Sequence, residues 1–247
     1  VFARISSRFR LLLLSIAVGA AAAAAFSFAP RPRPVLWAWE RPEDLRFLKP
    51  GEADVAFLAQ TLQIEADGSV TRVPRRQPLR VNRGTRLIAV TRIEGRPALS
   101  REGIDTATES IAQTLRLSGV AEIQLDFDAT LTQRASYTSL THALRERLAH
   151  TRLTITALSS WCMGDPWIQD LPIDGAVPMV FQMGPDDRGI RRRLSGGDDW
   201  QVPACRASYG LATYETPPAL KSRRQLYLFI NQPWTRASLA SAMEKYD

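Results

Sequence analysis

From Val35 onward, short apolar runs rich in β-branched and aromatic residues alternate with polar stretches, some of which carry helical spacing. The apolar runs are 35–40 (VLWAWE), 54–64 (DVAFLAQTLQI), 87–94 (LIAVTRIE), 121–129 (AEIQLDFDA), 153–158 (LTITAL), 176–183 (AVPMVFQM), 207–215 (ASYGLATYE) and 225–232 (QLYLFINQ). Each has the length of a strand. Several are almost continuously apolar, the pattern of strands covered on both faces. Between them, 105–117 carries Ile111 and Leu115 four apart, and 136–148 sets Leu140, Leu144 and Leu148 on one stripe behind Ser136 as N-cap. Residues 235–246, opened by Thr235, predict a terminal helix. Residues 65–86 are turn-rich and predict a β-turn excursion where a second crossover helix would stand.

Eight strands with mostly helical crossovers predict a TIM-barrel-like (β/α)8 fold, a single α/β domain over residues 35–247. A doubly wound open sheet shares these local patterns. No glycine-rich turn of the dinucleotide-binding type follows any of the strands, which favours the barrel.

Ahead of the strands the pattern changes. Arg4, Arg8 and Arg10 precede an uncharged apolar run from Leu11 to Ala29, with small residues at Ala23/Ala25 and Ser27/Ala29. A basic segment followed by such a run predicts a signal peptide, and its length also suits an uncleaved membrane anchor. Residues 1–34 are therefore expected to be a signal or anchor ending in an Arg31-Pro-Arg-Pro spacer. The body is expected to be exported to the periplasm or cell envelope.

This leader also accounts for the charge. The 247 residues hold 32 basic and 25 acidic side chains, a net +7. Arg4, Arg8, Arg10, Arg31 and Arg33 precede residue 34 and no acid does, which leaves 27 against 25, or +2, for the body. Arg191, Arg192 and Arg193 fit a solvated helix face or loop, and no nucleic-acid partner is expected. In an oxidising compartment Cys162 and Cys205 predict a disulfide, two buried thiols being the alternative.

The side-chain inventory narrows the chemistry. The two histidines, His142 and His150, fall in or just after a predicted helix, away from strand ends. That disfavours a serine or cysteine nucleophile with a histidine base, and no metal site is expected. Lys49, Lys221 and Lys245 all lie outside the strands, and no phosphate-binding G-x-x-x-x-G-K-[ST] loop occurs. No cofactor is expected.

Carboxylates remain, and barrel sites are built at the C-terminal strand ends. Asp126 and Asp128 close the fourth strand, two residues apart and so on one face. Glu94 follows the third strand, Glu215 the seventh and Glu40 the first. Crowded carboxylates repel, so one pKa rises and the pair can divide acid and base roles, as glycosidic hydrolysis requires. Asp126, Asp128, Glu215 and Glu94 are the catalytic candidates. Trp39, Trp161 and Trp234 lie near strand ends and, with Glu40, are the candidates for substrate contact, since indole faces stack on sugar rings. The structural alternatives are a core role for Trp37 or Trp39, capping by the aspartates or their pairing with Arg134, and salt bridges from Glu40 to Arg41 and from Glu94 to Arg92 or Arg96.

The segment Ile123-Gln-Leu-Asp-Phe-Asp-Ala-Thr130, the helix at 137–148 and Leu153-Thr-Ile-Thr-Ala-Leu-Ser-Ser-Trp161 resemble a bacterial family of unknown function, domain family 3142. Val35–Glu40 and Ile173-Asp-Gly-Ala-Val177 also fit its pattern. The resemblance implies an exported or lipid-associated barrel-like domain. The fourth strand is also similar, more distantly, to that of family 18 glycoside hydrolases, the chitinase-like barrels, which end it in D-x-x-D-x-D-x-E. Asp126 and Asp128 match the two closing aspartates, Thr130 stands at the Glu position, and Trp234 matches a tryptophan that stacks beneath the sugar. Either another acid replaces the Glu or the barrel binds without cutting. The sequence thus predicts an exported glycoside hydrolase-like protein acting on a polysaccharide or oligosaccharide. Its alternative is a non-catalytic carbohydrate-binding or envelope-assembly protein on a degenerate hydrolase barrel.

Overall fold

The computed structural model describes residues 32–246. The expected leader, through residue 31, lies outside the described residues. Among the described residues no helix is long and apolar enough to cross a membrane.

Eight parallel strands close into a ring: β1 (Val35–Ala38), β2 (Asp54–Ile64), β3 (Leu87–Glu94), β4 (Val120–Asp126), β5 (Arg152–Leu158), β6 (Gly175–Met179), β7 (Ser208–Ala212) and β8 (Gln225–Phe229). Closure is made by β1, where Val35 stands opposite Asp54 of β2 on one side and Tyr227 of β8 on the other. The fold is a TIM-barrel-like α/β barrel.

The continuous apolar runs are explained by two cores. Residues pointing into the ring, among them Trp37, Ala56, Ile88, Val90, Val177 and Tyr227, form an axial cluster. Their neighbours in sequence, such as Leu36, Val55, Ala89 and Ile123, pack outward against Ala107 and Ile111 of α1 (Arg101–Gln113) and Leu140 and Leu144 of α2 (Arg134–Arg147). Trp37 plugs the axis and donates from Nε1 to Gln124 Oε1 at 3.0 Å. Gly210 makes room for it: a Cβ there would lie 3.1 Å from Trp37 Cη2 and 3.0 Å from Met179 Sδ.

At the N-terminal end of the ring charge takes over from hydrocarbon. Glu122 is 1 % exposed and accepts from Thr154 Oγ1 at 2.9 Å, with Arg86 at 3.1 Å and Arg152 at 3.3 Å. Arg86 also reaches Asp54 at 3.3 Å, so ion pairs tie β2, β4 and β5 to the residue before β3. A buried carboxylate is tolerated only with this degree of pairing.

The crossovers are less helical than expected. Among the described residues, helices of nine residues or more follow β3 (α1), β4 (α2), β6 (α3, Asp187–Ser195) and β8 (α4, Arg236–Tyr246). After β1 the chain makes a short strand, Glu43–Asp44, which pairs in parallel with Leu79–Arg80. The 65–86 segment is the expected excursion, with Val70–Pro74 running antiparallel to the far end of β2. After β5 there is one turn, Ser159–Cys162, and between β7 and β8 a loop.

Two helix starts differ from expectation. Helix α1 begins at Arg101 because Ser100 Oγ accepts the Gly103 N–H at 3.0 Å. Ser136 does not cap α2. Thr130 and Gln133 form a capping box that starts a 3-10 turn at Leu131–Gln133, leading directly into the helix. Ser136 Oγ instead accepts the Leu99 N–H and donates to the Gln133 carbonyl.

Cys162 and Cys205 are disulfide-bonded, with Cα atoms 6.0 Å apart and a sequence separation of 43. The bond joins the turn after β5 to the 3-10 turn Pro203–Cys205 ahead of β7.

Candidate active site

The C-terminal rim of the ring has a carboxylate half and an aromatic half. In the carboxylate half, β4 ends at Asp126, whose Oδ1 accepts from Thr156 Oγ1 of β5 at 2.7 Å. Asp128, two residues on, makes no hydrogen bond or ion pair with any described residue. Both carboxyls are held above the ordinary carboxylate range. For Asp126 the main cause is burial, with the charges of Asp128 and Glu94 adding to it, while the Thr156 hydrogen bond and Arg92 oppose it. Asp128 is exposed as a residue, yet the surrounding wall desolvates its carboxyl enough to raise it against the pull of Arg92.

Arg92 and Glu94 come from the end of β3. Arg92 Nε lies 2.5 Å from Glu94 Oε1, and Gln63 Nε2 donates to Glu94 Oε2 at 2.8 Å. The Arg92 guanidinium carbon sits 5.5 Å from the ring centroid of Trp39, a cation–π arrangement. Arg92 therefore faces Asp126, Asp128, Glu94 and an indole at once.

Trp39 begins the aromatic half. It is half-buried and meets Phe229 edge-on at 6.4 Å, Phe229 stacks on Phe181 at 5.7 Å, and Tyr214 meets Phe229 edge-on at 6.3 Å. Gln182 helps lock this wall. Its φ of +48° is in the left-handed region, its N–H donates to Glu215 Oε1 at 3.3 Å, and its Nε2 donates to Tyr214 Oη at 3.2 Å. A non-glycine residue held in that region is a local strain of the kind that collects at functional sites.

The sequence candidates divide accordingly. Asp126, Asp128, Glu94 and Trp39 come together at the rim. Glu215 is drawn into the scaffold, pairing with Arg191 Nη2 at 3.2 Å beyond its Gln182 contact. Glu40 is likewise engaged, accepting the backbone N–H groups of Arg76 and Gln77 at 3.1 and 3.2 Å. Trp161 is 2 % exposed, in edge contact with Trp167 at 5.0 Å, and belongs to the core beside the disulfide. Trp234 is 3 % exposed, and its Nε1 donates to the Trp37 carbonyl at 3.0 Å. Neither tryptophan offers a free ring face to a ligand. At the Glu position of the chitinase-like motif, Thr130 spends its hydroxyl and N–H on Gln133.

Three rim aromatics, Phe181, Phe229 and Tyr214, were not anticipated, nor was Thr156. A period of two would have found the first pair, since Phe181 follows Met179 and Phe229 follows Tyr227 on the inward face. Among the described residues no three His, Cys, Asp or Glu side chains converge as a metal site.

No family model matches the chain, and no curated protein matches it. Among solved structures, one described as a "putative Chitinase A from Streptomyces coelicolor" is similar at a TM-score of 0.48 and 13% identity, over 73% of this chain and 75% of that one. The fold assignment rests on the closed ring of parallel strands, and the functional reading on the rim.

Proposed function

We propose that the protein is an exported glycoside hydrolase-like enzyme that cleaves a polysaccharide across the C-terminal rim of its barrel. The observation that carries this is the Asp126–Asp128 pair: two carboxyls on one strand end, both held toward protonation, one half-buried and hydrogen-bonded, the other open and unpaired. Unequal surroundings are what let two carboxylates take different roles. Asp128, facing solvent, donates its proton to the glycosidic oxygen as the bond to the anomeric carbon breaks. Asp126 lies behind it and exchanges protons with it. Glu94, oriented by Arg92 and Gln63, is the opposing carboxylate and takes the proton from the water that adds to the anomeric carbon. Trp39 and Tyr214, each set edge-on against Phe229, supply the apolar surface for a sugar face.

The second reading is a carbohydrate-binding protein that does not cut. It is favoured by Thr130, which stands at the acid position of the motif and is occupied in a cap. One experiment separates the two. The oxidised protein is incubated with bacterial and plant polysaccharides, and reducing-end release and binding are recorded together for wild type, Asp128→Asn and Trp39→Ala. Release that falls at least ~100-fold in Asp128→Asn with binding retained supports the enzyme. Binding without release, indifferent to Asp128→Asn and lost in Trp39→Ala, establishes the second reading in its place.

A further inference from the structure

The aromatic half of the rim is tied to the last turn of α4. Tyr214 is exposed and sits in the turn that follows β7, where the Glu215 N–H donates to the Ala212 carbonyl at 3.1 Å and the Thr213 N–H to the Phe229 carbonyl at 2.9 Å. Beyond Thr216 the chain continues as Pro217-Pro218, and neither residue has a backbone N–H to offer. Further donors come from α4. Lys245 Nζ donates to the carbonyls of Thr213 at 2.9 Å and Glu215 at 2.7 Å, the residues on either side of Tyr214. Tyr246 Oη donates to the Ala212 carbonyl at 2.9 Å. Two adjacent side chains thus hold the carbonyls of residues 212, 213 and 215.

These bonds are separate from the packing that seats the helix. The buried residues of α4 are Leu239 and Ala242, whereas Lys245 is exposed and Tyr246 half-buried. An exposed lysine gives up rotamer freedom to bridge two carbonyls, and its charge strengthens both bonds. Tyr246 remains a donor through the neutral range, because burial and the charge of Glu215 push its hydroxyl up to about 12. Tyr214 is then restrained on three sides. Its hydroxyl accepts from Gln182, its ring meets Phe229 edge-on, and its backbone turn is fastened to α4.

Resting on the reading of Tyr214 as part of the sugar-contacting wall, we propose that Lys245 and Tyr246 are positioning residues, which fasten the turn so that the Tyr214 ring meets the ligand already oriented. Neither side chain touches the ligand. Their effect is on binding, since a wall ordered beforehand loses less freedom when a sugar ring stacks on it. The carboxyls of the proposed chemistry stand on β3 and β4, away from this turn. Release of the turn therefore raises KM and leaves kcat in place.

The test compares the full chain as wild type, Lys245→Met, Tyr246→Phe, the double variant and Lys245→Arg, whose guanidinium can still donate to both carbonyls. In the ligand-free proteins, amide hydrogen exchange over residues 213–216 is read by mass spectrometry alongside the melting temperature. Exchange there should quicken about tenfold in the double variant while β7 and β8 keep their protection, and Lys245→Arg should stay near wild type. On a polysaccharide from which wild type releases reducing ends, the double variant should raise KM roughly five- to tenfold with kcat within about twofold. Exchange that does not change in the double variant overturns the proposal, and so does a fall in kcat at constant KM. A lower melting temperature with exchange and KM unmoved also overturns it, since that is the mark of helix docking alone. Should the double variant not fold, Lys245→Met, at an exposed position, carries the same comparison. If wild type releases nothing, the hydrolase reading fails, and the exchange comparison by itself decides whether α4 orders the Tyr214 turn.

Discussion

Breaking the Cys162–Cys205 bond is the perturbation whose size follows most directly from the structure. The bond closes a loop with a sequence separation of 43, which corresponds to about 4 kcal/mol of chain entropy withheld from the unfolded state. Both cysteines are fully buried, so alanine is the replacement to use, since serine would add a buried hydroxyl in need of a partner. For a domain of this size the Cys162→Ala/Cys205→Ala variant should melt roughly 8–16 °C below wild type. A second observable separates this mechanism from a simple packing loss. Freeing the loop lets the denatured chain expand, so the urea m-value should rise as the midpoint falls. Packing loss alone would lower the midpoint at constant m. Equilibrium urea unfolding of oxidised wild type and of the variant, read by tryptophan fluorescence, provides both numbers. Equal midpoints, or native wild-type protein that reacts with thiol reagents without reduction, would refute the reasoning.

Three further outcomes follow from the rim and the axis. Asp126 holds its proton to higher pH folded than unfolded, so the stability this group lends is complete below its unfolded pKa of about 3.9 and is lost as pH rises through the folded midpoint. Asp126→Asn should therefore match wild type near pH 4 and exceed it at pH 8 in urea unfolding, and the opposite order at pH 8 would sink the assignment. Arg92→Gln removes the cation that opposes protonation of both aspartates, so both should titrate higher by carbon-13 NMR, and unmoved midpoints would show that Arg92 is screened from them. Gly210→Ala places a methyl against Trp37 and Met179 and should cost roughly 1–3 kcal/mol in chemical denaturation. An unaffected midpoint there would mean that the axial plug is loosely packed.

The eight strands could be placed from sequence because each is covered on both faces, leaving runs that local composition alone reveals. Their ends were set too far along. Phe127, Phe181, Tyr214 and Ile230 keep a strand-like composition after the ladder stops at Asp126, Met179, Ala212 and Phe229. The extra residues are rim residues, apolar because they line the mouth or pack beneath it. Helix α3 was hidden for the opposite reason: its DRGIRRRLS segment buries only Ile190 and Leu194, and the Arg191–Asp187 pair adds local support. Asp126, Asp128 and Glu94 were placed together by the period of two and the rule that barrel sites sit at strand ends. That rule does not say on which side of the wall a residue after the strand will fall, which is why Trp161 and Trp234 were expected to face ligand and lie in the core. Nor does sequence show that Glu215 and Glu40 are engaged, because their partners, Arg191 and the Arg76–Gln77 backbone, lie 24 or more residues away.

The charged base of the ring has a consequence for how this protein can change. Glu122, Arg86, Arg152 and Asp54 fasten adjoining strands at the end farthest from Asp126 and Asp128. On the proposed reading, foldedness and chemistry are thereby lodged at opposite poles of one short cylinder. Substitutions at the rim leave the fastening intact, so a library randomised at positions 39, 92, 94, 126, 128 and 214 should remain largely folded, and one randomised at 54, 86, 122 and 152 should not. On that reading the rim is where a lineage of such proteins is free to exchange one ligand for another.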